Sequence, residues 1–305
     1  MSHTRKEFLQ KAALLAAAML TSSAFSTAKN KAMLAFSTLG CPDWSFRQIV
    51  DFASKHGYKG LELRGIKRQM DLTKCDEFST PEKIKATLSI MKEKGLKFIN
   101  LGASANMHFH EGPEKEKSMA EAMAFIDLAQ KINCPYVRVF PNKFPKERER
   151  EQTIQTVAEN LLALGEYAKS RKVIVLLETH GDFSGSDDIL KVMKLADHSN
   201  VALVWDIANM WTITKESPAL VYQKLKKYIR HTHIKDAKIK GDKLHYTLLG
   251  QGDVPIFDAI DILNKDGYKG YYSFEWEKLW HPEIAEPEIA LADFPLAFNK
   301  HFKNQ

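Results

Sequence analysis

Cysteine is scarce in this chain of 305 residues, which has three: Cys41, Cys75 and Cys134. An odd number leaves at least one thiol unpaired, and their separations match neither a disulfide framework nor a cysteine-based metal site. The sequence therefore argues against a small disulfide-stapled domain and against a zinc site built from cysteines.

A glycine-rich phosphate loop is also missing. The segment after the first predicted strand, Thr38 to Pro42, has neither the dinucleotide-binding nor the P-loop spacing of glycines. An open, doubly wound sheet, which would normally carry such a loop, is therefore only the second choice for the fold. Low-complexity tracts are absent, and a content of 44% hydrophobic and 27% charged residues is typical of a globular protein with a large core.

The excess of positive charge is small and scattered. The chain has 44 Lys and Arg against 38 Asp and Glu, a net charge of +6. Lys224, Lys226 and Lys227 fall on one predicted helix, where a solvated face explains them better than a nucleic-acid groove does. We therefore predict no nucleic-acid partner.

Residues 1–30 have the layout of an export signal. Arg5 and Lys6 precede an apolar stretch from Ala12 to Leu20, and Ser26 and Ala28 stand where a small-x-small cleavage site belongs. The stretch is too short to span a bilayer comfortably. We predict an exported, periplasmic protein with no stable membrane anchor after the signal is removed.

The export route is less defined than export itself. The run from Thr4 to Lys11 is similar to a twin-arginine signal in which Lys6 replaces the second arginine. No cysteine lies near the cleavage point, which argues against a lipoprotein. The rest of the chain, residues 31–305, is predicted to be one catalytic domain.

From Met33 onward, short apolar segments alternate with longer segments that have helical apolar spacing. Eight strand-then-helix units in one chain predict a closed α/β structure, a single (β/α)8 TIM barrel, because right-handed crossovers return each strand beside the last. The predicted strands are Met33–Leu39, Gly60–Leu63, Lys97–Leu101, Tyr136–Phe140, Val173–Glu178, Val201–Asp206, Ile229–Ile234 and Gly270–Glu275.

The last four predicted strands each carry an acid or an imidazole at their carboxyl end: Glu178, Asp206, His233 and Glu275. Such groups cost several kcal/mol to bury without a partner, by order of magnitude. Neighbouring strand ends of a barrel converge, and three carboxylates with one imidazole suit one divalent ion such as Mn, Mg, Zn or Co. Taken singly, each acid could instead pair with a basic residue, and the histidine with a backbone carbonyl.

Six segments carry a resemblance to a known family: Ser37–Trp44, Gly60–Arg64, Leu177–His180, Trp205–Asn209, His231–Asp236 and Ser273–Glu275. Together they resemble the xylose-isomerase-like barrel family, over almost the whole chain after the signal. That family includes sugar and sugar-phosphate isomerases and epimerases, inosose dehydratases and an apurinic-site endonuclease. The resemblance implies a divalent metal held by the quartet. In the ketose 3-epimerase branch, it also implies that Glu178 and Glu275 exchange the substrate proton.

Two positions depart from the ketose 3-epimerase pattern. Asn209 stands where that branch has a substrate-contacting histidine, and Ile239 stands where it has an arginine. The segment from His233 to Asp236 is instead similar to the sugar-phosphate epimerase and inosose dehydratase branches. There, Lys235 could polarise a carbonyl or stabilise an enolate, and the alternative is a surface pair of Lys235 with Asp236.

Other residues near strand ends are candidate substrate contacts. Glu62 and Arg64 leave strand two on the same side, where a structural ion pair is the alternative. Arg138 on strand four could bind a substrate anion or a buried acid. The remaining candidates, each with surface exposure or plain packing as the alternative, are His180, Asn209, His110 and Trp44.

These observations predict a metal-dependent sugar isomerase or epimerase, or a related lyase or dehydratase, that removes a proton next to a carbonyl. A metal would stabilise the enediolate, and two carboxylates would act as base and acid. Export favours an unphosphorylated sugar, keto-sugar or keto-glycoside as the small-molecule carbohydrate partner, and a homo-oligomer is compatible with this function. The alternatives are a phosphodiester hydrolase of the apurinic-endonuclease type, which would need more histidine ligands, and a sugar-binding barrel without turnover.

Overall fold

Eight parallel strands close into a barrel in the computed structural model, which describes residues 32–241 and 243–303. The barrel strands are β1 Met33–Ser37, β2 Gly60–Leu63, β3 Lys97–Asn106, β4 Tyr136–Phe140, β5 Ile174–Glu178, β6 Val201–Asp206, β7 Ile229–Ile234 and β10 Tyr271–Phe274. Their order around the barrel is β1, β10, β7, β6, β5, β4, β3, β2, and every neighbouring pair is parallel. The predicted (β/α)8 barrel is thereby confirmed.

Helices follow the strands and surround the barrel, and their ends carry the expected signals. The Thr80 side chain accepts a hydrogen bond from the Lys83 N–H, with Pro81 in the first helical turn. Gly57 and Gly95 follow two helix ends with φ of +80° and +66°, a left-handed conformation that glycine adopts at no steric cost. The helices are α1 Phe46–Lys55, α2 Pro81–Glu93, α3 Gly112–Lys131, α4 Arg150–Lys169, α5 Ser186–Leu195, α6 Ile207–Thr214, α7 Pro218–Leu225, α8 Ile256–Lys265 and α9 Pro287–Lys303.

An antiparallel hairpin that the sequence did not predict follows β7. Its strands are β8 Asp236–Lys240 and β9 Lys243–Thr247. The Asp236 carboxylate accepts hydrogen bonds from the backbone N–H groups of Gly250 and Gly252, which closes the base of the hairpin. Apolar and polar residues do alternate in it, with Ala237 and Ile239 on β8 opposite Tyr246 and Leu244 on β9, but each run is only five residues long and is hard to tell from a loop after β7.

The barrel interior changes from apolar to charged along the strands. Leu176 on β5 and Val204 on β6 belong to one buried apolar cluster. Two residues further along the same strands, and so on the same side of an extended chain, stand Glu178 and Asp206. The carboxyl ends of the strands therefore place charge directly above a packed apolar layer.

The predicted export signal, residues 1–30, lies outside the described residues and stays a prediction. Among the helices of residues 32–241 and 243–303, none is long and apolar enough to cross a membrane. Cys41, Cys75 and Cys134 are buried free thiols.

Candidate metal centre

The four predicted ligands come together at the carboxyl end of the barrel. The His233 Nδ1 atom lies 3.3 Å from Glu275 Oε2 and 3.7 Å from both Glu178 Oε2 and Asp206 Oδ2. One ligand atom from each residue lies within 4.8 Å of the others, and all four side chains are buried. The register pairs Asp206 with His233 on adjacent strands, which explains how residues 27 positions apart meet.

The donor atoms of this quartet fit a cation. Glu178 Oε2, Asp206 Oδ2 and His233 Nδ1 are buried and make no well-aligned hydrogen bond among the described residues. Arg138 Nε and Lys235 Nζ lie within ion-pair distance of the two carboxylate oxygens, which marks these oxygens as negatively charged. Three oxygens and one nitrogen are the donor set that divalent ions of the Mn, Mg, Co or Zn type accept, and one ion could bind all four residues at once.

Glu62 does not pair with Arg64 but lies buried behind His233. Its Oε1 lies 2.9 Å from His233 Nε2 and its Oε2 lies 2.7 Å from His231 Nε2, while Ser273 Oγ donates to Oε2 at 3.1 Å. Arg64 instead donates to the Gly102 carbonyl and Ser104 Oγ. The alternative of a Glu62–Arg64 ion pair was wrong, because Glu62 lies about 6–7 Å deeper along its strand than Arg64.

Arg138 reaches a buried acid of the quartet. Its Nε lies 2.9 Å from Glu178 Oε2, and its Nη1 donates to the Ala103 carbonyl. Burial raises the pKa of Glu178, but the charges of Arg138 and His233 lower it by more. The pKa of Glu178 therefore lies below its ordinary value. Gly102 makes room for this arginine, since a Cβ at that position would lie 2.8 Å from Arg138 Nη2.

Lys235 is buried in the quartet rather than paired with Asp236 on the surface. Its Nζ lies 2.8 Å from Asp206 Oδ2, 2.7 Å from Glu275 Oε2 and 2.7 Å from Glu277 Oε1. Burial lowers the pKa of Lys235, but these carboxylates raise it well above its ordinary value, so the side chain stays charged. The surface-pair interpretation was wrong because Asp236 turns the other way to cap the hairpin backbone.

Glu277 is a member of the site that the sequence analysis missed. It contacts Lys235 and is 13% exposed at its side chain. Burial raises its pKa above the ordinary value, with Lys235 opposing this shift and Glu275 adding to it. A signal existed, because Glu277 follows Glu275 by two residues and extended residues at that spacing share a side.

The metal-free centre carries a charged imidazole. Burial lowers the pKa of His233, but Glu275, Glu62 and Glu178 raise it well above its ordinary value. Burial raises the pKa of Glu275, but His233 and Lys235 lower it well below its ordinary value. A proton on His233 Nδ1 thus occupies the position that faces the three carboxylates.

Comparison with known proteins agrees with the barrel fold. Residues 50–293 match the family model described as a xylose isomerase-like TIM barrel. The chain belongs to this family.

Two curated relatives and one solved structure are similar to this chain. The 3-dehydroshikimate dehydratase of Bacillus anthracis is 26% identical over 228 residues, which cover 71% of this chain and 78% of that protein. An inosose dehydratase of Clostridium perfringens is 28% identical over 275 residues, covering 80% and 85%. The crystal structure of the IOLI protein with a bound zinc atom superposes with a TM-score of 0.74 at 16% identity, covering 89% of this chain and 98% of that one. The structural likeness shows the fold, and both curated relatives are dehydratases.

Two other predicted substrate contacts of this xylose isomerase-like barrel, Asn209 and His180, are half-buried. Asn209 is half-buried, and its backbone N–H donates to Asp206 Oδ1 at 2.9 Å, which caps α6 and leaves Oδ2 facing the quartet. His180 is half-buried with its ring against Phe140. These two positions stay candidates for substrate contact.

His110 and Trp44 do not contact the quartet among the described residues. The His110 side chain is 53% exposed and lies beside Glu111. The Trp44 ring packs against Phe52 of α1. Both lie in segments beyond strand ends, and the sequence does not specify which way such loops turn.

Proposed function

We propose that this protein is a divalent-metal-dependent lyase or epimerase that removes a proton next to the ketone of a small polyhydroxylated molecule. The observation that carries the proposal is the convergence of three buried carboxylates on His233 Nδ1. The two dehydratase relatives favour elimination of water as the outcome. Epimerisation, by return of the proton to the other face, is the second candidate because two of the carboxylates, Glu178 and Glu275, come from well-separated strands.

The charges of the site suit a ketone that becomes an enolate. A divalent ion held by Glu178, Asp206, His233 and Glu275 would polarise the ketone oxygen and acidify the neighbouring C–H. Four carboxylates, those of Glu178, Asp206, Glu275 and Glu277, are in contact with two permanent cations, Arg138 and Lys235. The Lys235 ammonium would add a second positive charge beside the developing oxyanion.

The acids differ in their capacity to hold a proton. The lowered pKa values of Glu178 and Glu275 keep both ionised, so either can accept the proton from the substrate carbon. The raised pKa of Glu277 lets it carry a proton to a departing hydroxyl group. The C–O bond then breaks, the hydroxyl leaves as water, and the product is an unsaturated ketone.

Solvent exchange tests the proposal. Purified protein loaded with Mn²⁺ or Zn²⁺ is incubated in deuterated water with a panel of cyclic polyhydroxy ketones, keto-sugars and keto-glycosides, and NMR follows each carbon. We expect exchange or elimination at a carbon next to the ketone, dependent on the metal. Tight ligand binding with no exchange by the metal-loaded protein would instead indicate a non-catalytic sugar-binding barrel.

We also propose that the mature protein acts outside the cytoplasm on an unphosphorylated substrate. The support is the basic start and the apolar core of residues 1–30. Mass spectrometry of protein from its native host should find a new N-terminus between Ala24 and Lys31. A form that keeps Met1 and stays in the cytoplasm would overturn the proposed location, and the substrate preference with it.

A further inference from the structure

One carboxylate of the barrel interior binds two histidines of the same strand. Glu62 enters from β2, and its two oxygens separately contact the Nε2 atoms of His231 and His233 on β7, at 2.7 Å and 2.9 Å. Ser273 Oγ donates to the same oxygen as His231 does. All four side chains are fully buried, so no water competes for these contacts through the barrel mouth.

The contacts determine which nitrogen of His233 carries hydrogen. An ionised carboxylate can only accept hydrogen bonds, so each imidazole must present an Nε2–H to Glu62. In a neutral His233, the lone pair is then on Nδ1, the nitrogen that faces Glu178, Asp206 and Glu275. A metal ligand requires that lone pair, and a carboxylate behind a ligating histidine orients the ring and raises its basicity.

His231 has a different part in the arrangement. Its Nδ1 has no hydrogen-bond partner among the described residues, and its ring meets that of His233 edge-on at 5.7 Å between centroids. The bonds from His231 and Ser273 to Glu62 Oε2 fix the plane of the carboxylate. Oε1 is thereby left in place for His233.

A second ion among Glu62, His231 and His233 is the competing interpretation, since their ligand atoms also lie within 4.8 Å of one another. The separations of 2.7 Å and 2.9 Å are those of N–H···O hydrogen bonds. Both Nε2 atoms would have to give up these bonds to bind an ion.

We propose that Glu62 is a positioning residue that fixes His233 as an Nδ1 metal ligand, and that His231 orients Glu62. This inference rests on the proposed function, because it requires an ion in the quartet. It extends the metal centre from the strands that carry its ligands to β2, on the first half of the chain.

The test compares Glu62→Gln with wild type and with Glu121→Gln, a control in which the altered glutamate accepts a bond from the Ser104 N–H. The amide that replaces the carboxylate in Glu62→Gln offers one acceptor atom and one donor atom, so it cannot accept from both imidazoles. We expect Zn²⁺ affinity, measured by chelator competition, to fall by about 10- to 100-fold in Glu62→Gln. The control should bind as wild type does.

The ring nitrogens give a second readout that a merely structural role would not change. In Zn²⁺-loaded wild type labelled with ¹⁵N-histidine, we expect the His233 signals of a protonated Nε2 and a metal-bound Nδ1, assigned with His233→Asn. That pattern should be lost or mixed in Glu62→Gln. If Glu62→Gln does not fold, His231→Asn is tested in its place. We expect its Zn²⁺ affinity to fall by less than the roughly 10- to 100-fold predicted for Glu62→Gln, with His233 still bound through Nδ1.

The outcomes separate this inference from the proposed function. A wild-type protein that binds no divalent ion would overturn both. Wild-type binding with unchanged affinity and unchanged ring signals in Glu62→Gln would overturn the inference alone. Two ions per chain in wild type, with one lost in Glu62→Gln, would make Glu62 a ligand and also overturn it.

Discussion

The two halves of the barrel contribute to one site in different ways. Strands β5, β6 and β7, with the residue after β10, supply the four atoms that converge. Strands β2 and β4 supply none of these atoms, but Glu62 lies behind His233 and Arg138 lies beside Glu178. The second half thus offers the ligands, and the first half fixes the orientation and the charge of two of them. Substitutions in the two halves should therefore differ in their effects on metal binding.

Loss of two ligands should have the largest effect. In Glu178→Gln/Glu275→Gln we expect the divalent ion to be lost and turnover to fall by on the order of a thousandfold or more, since Lewis-acid stabilisation amounts to several kcal/mol. Elemental analysis and circular dichroism should show a metal-free, folded barrel. The exposed pair Glu147→Gln/Glu149→Gln is the control. Full metal occupancy in the ligand variant would contradict the assignment.

Lys235, directly after β7, adds a positive charge to the site without being a metal ligand. Lys235→Met should lower the turnover rate by about a hundredfold, as loss of an oxyanion partner does, while metal content stays near that of wild type. Lys238→Met, on the exposed part of the hairpin, should leave both unchanged. Near-normal turnover in Lys235→Met would remove the ammonium from the reaction and leave the metal as the electrophile.

Arg138 tests the first half of the barrel. Arg138→Gln removes the cation beside Glu178, so the pKa of that carboxyl should rise and metal affinity should fall by about tenfold. Chelator competition measures the affinity, and thermal unfolding separates it from a loss of stability. If affinity is unchanged while stability falls, the arginine is structural only.

The smallest predicted effect is the release of one proton from His233 when the metal binds. The metal-free His233 has a raised pKa and carries a proton on Nδ1 that an ion must displace. Below that pKa, we expect metal affinity to rise about tenfold for each pH unit. Calorimetry in buffers of different ionisation enthalpy should show about one proton released per ion bound. Release of none would mean that His233 is already neutral before binding.

The barrel and the convergence of the quartet were predictable because both depend on strand order. Alternating strands and helices predict the barrel, and the residues at successive strand ends meet wherever the strands are neighbours. Glu62 shows the limit of this reasoning. The sequence places it on the inner side of β2, but its partners depend on how deep it lies in the barrel, which the sequence alone does not give.

Loops and polar elements were harder to predict. The hairpin after β7 has a period-two apolar pattern, Ala237 and Ile239 on one strand and Leu244 and Tyr246 on the other, but the runs are so short that they do not stand out from a loop. Trp44 and His110 follow strand ends as the ligands do, yet their loops turn them toward α1 and toward solvent. A strand-end position therefore predicted the site well only for residues within or directly after a strand.

The contacts of Glu62 with β7 also bear on how the chain folds. They join residues that are separated by 169 and 171 positions in the sequence. Contacts at such long separations form slowly, because a long loop must close first. His233 is therefore held in its ligating orientation only after β2 and β7 have come together in the closed barrel. Metal uptake during refolding should then report completion of the native topology, and a fluorescent divalent-ion chelator could follow that last step in real time.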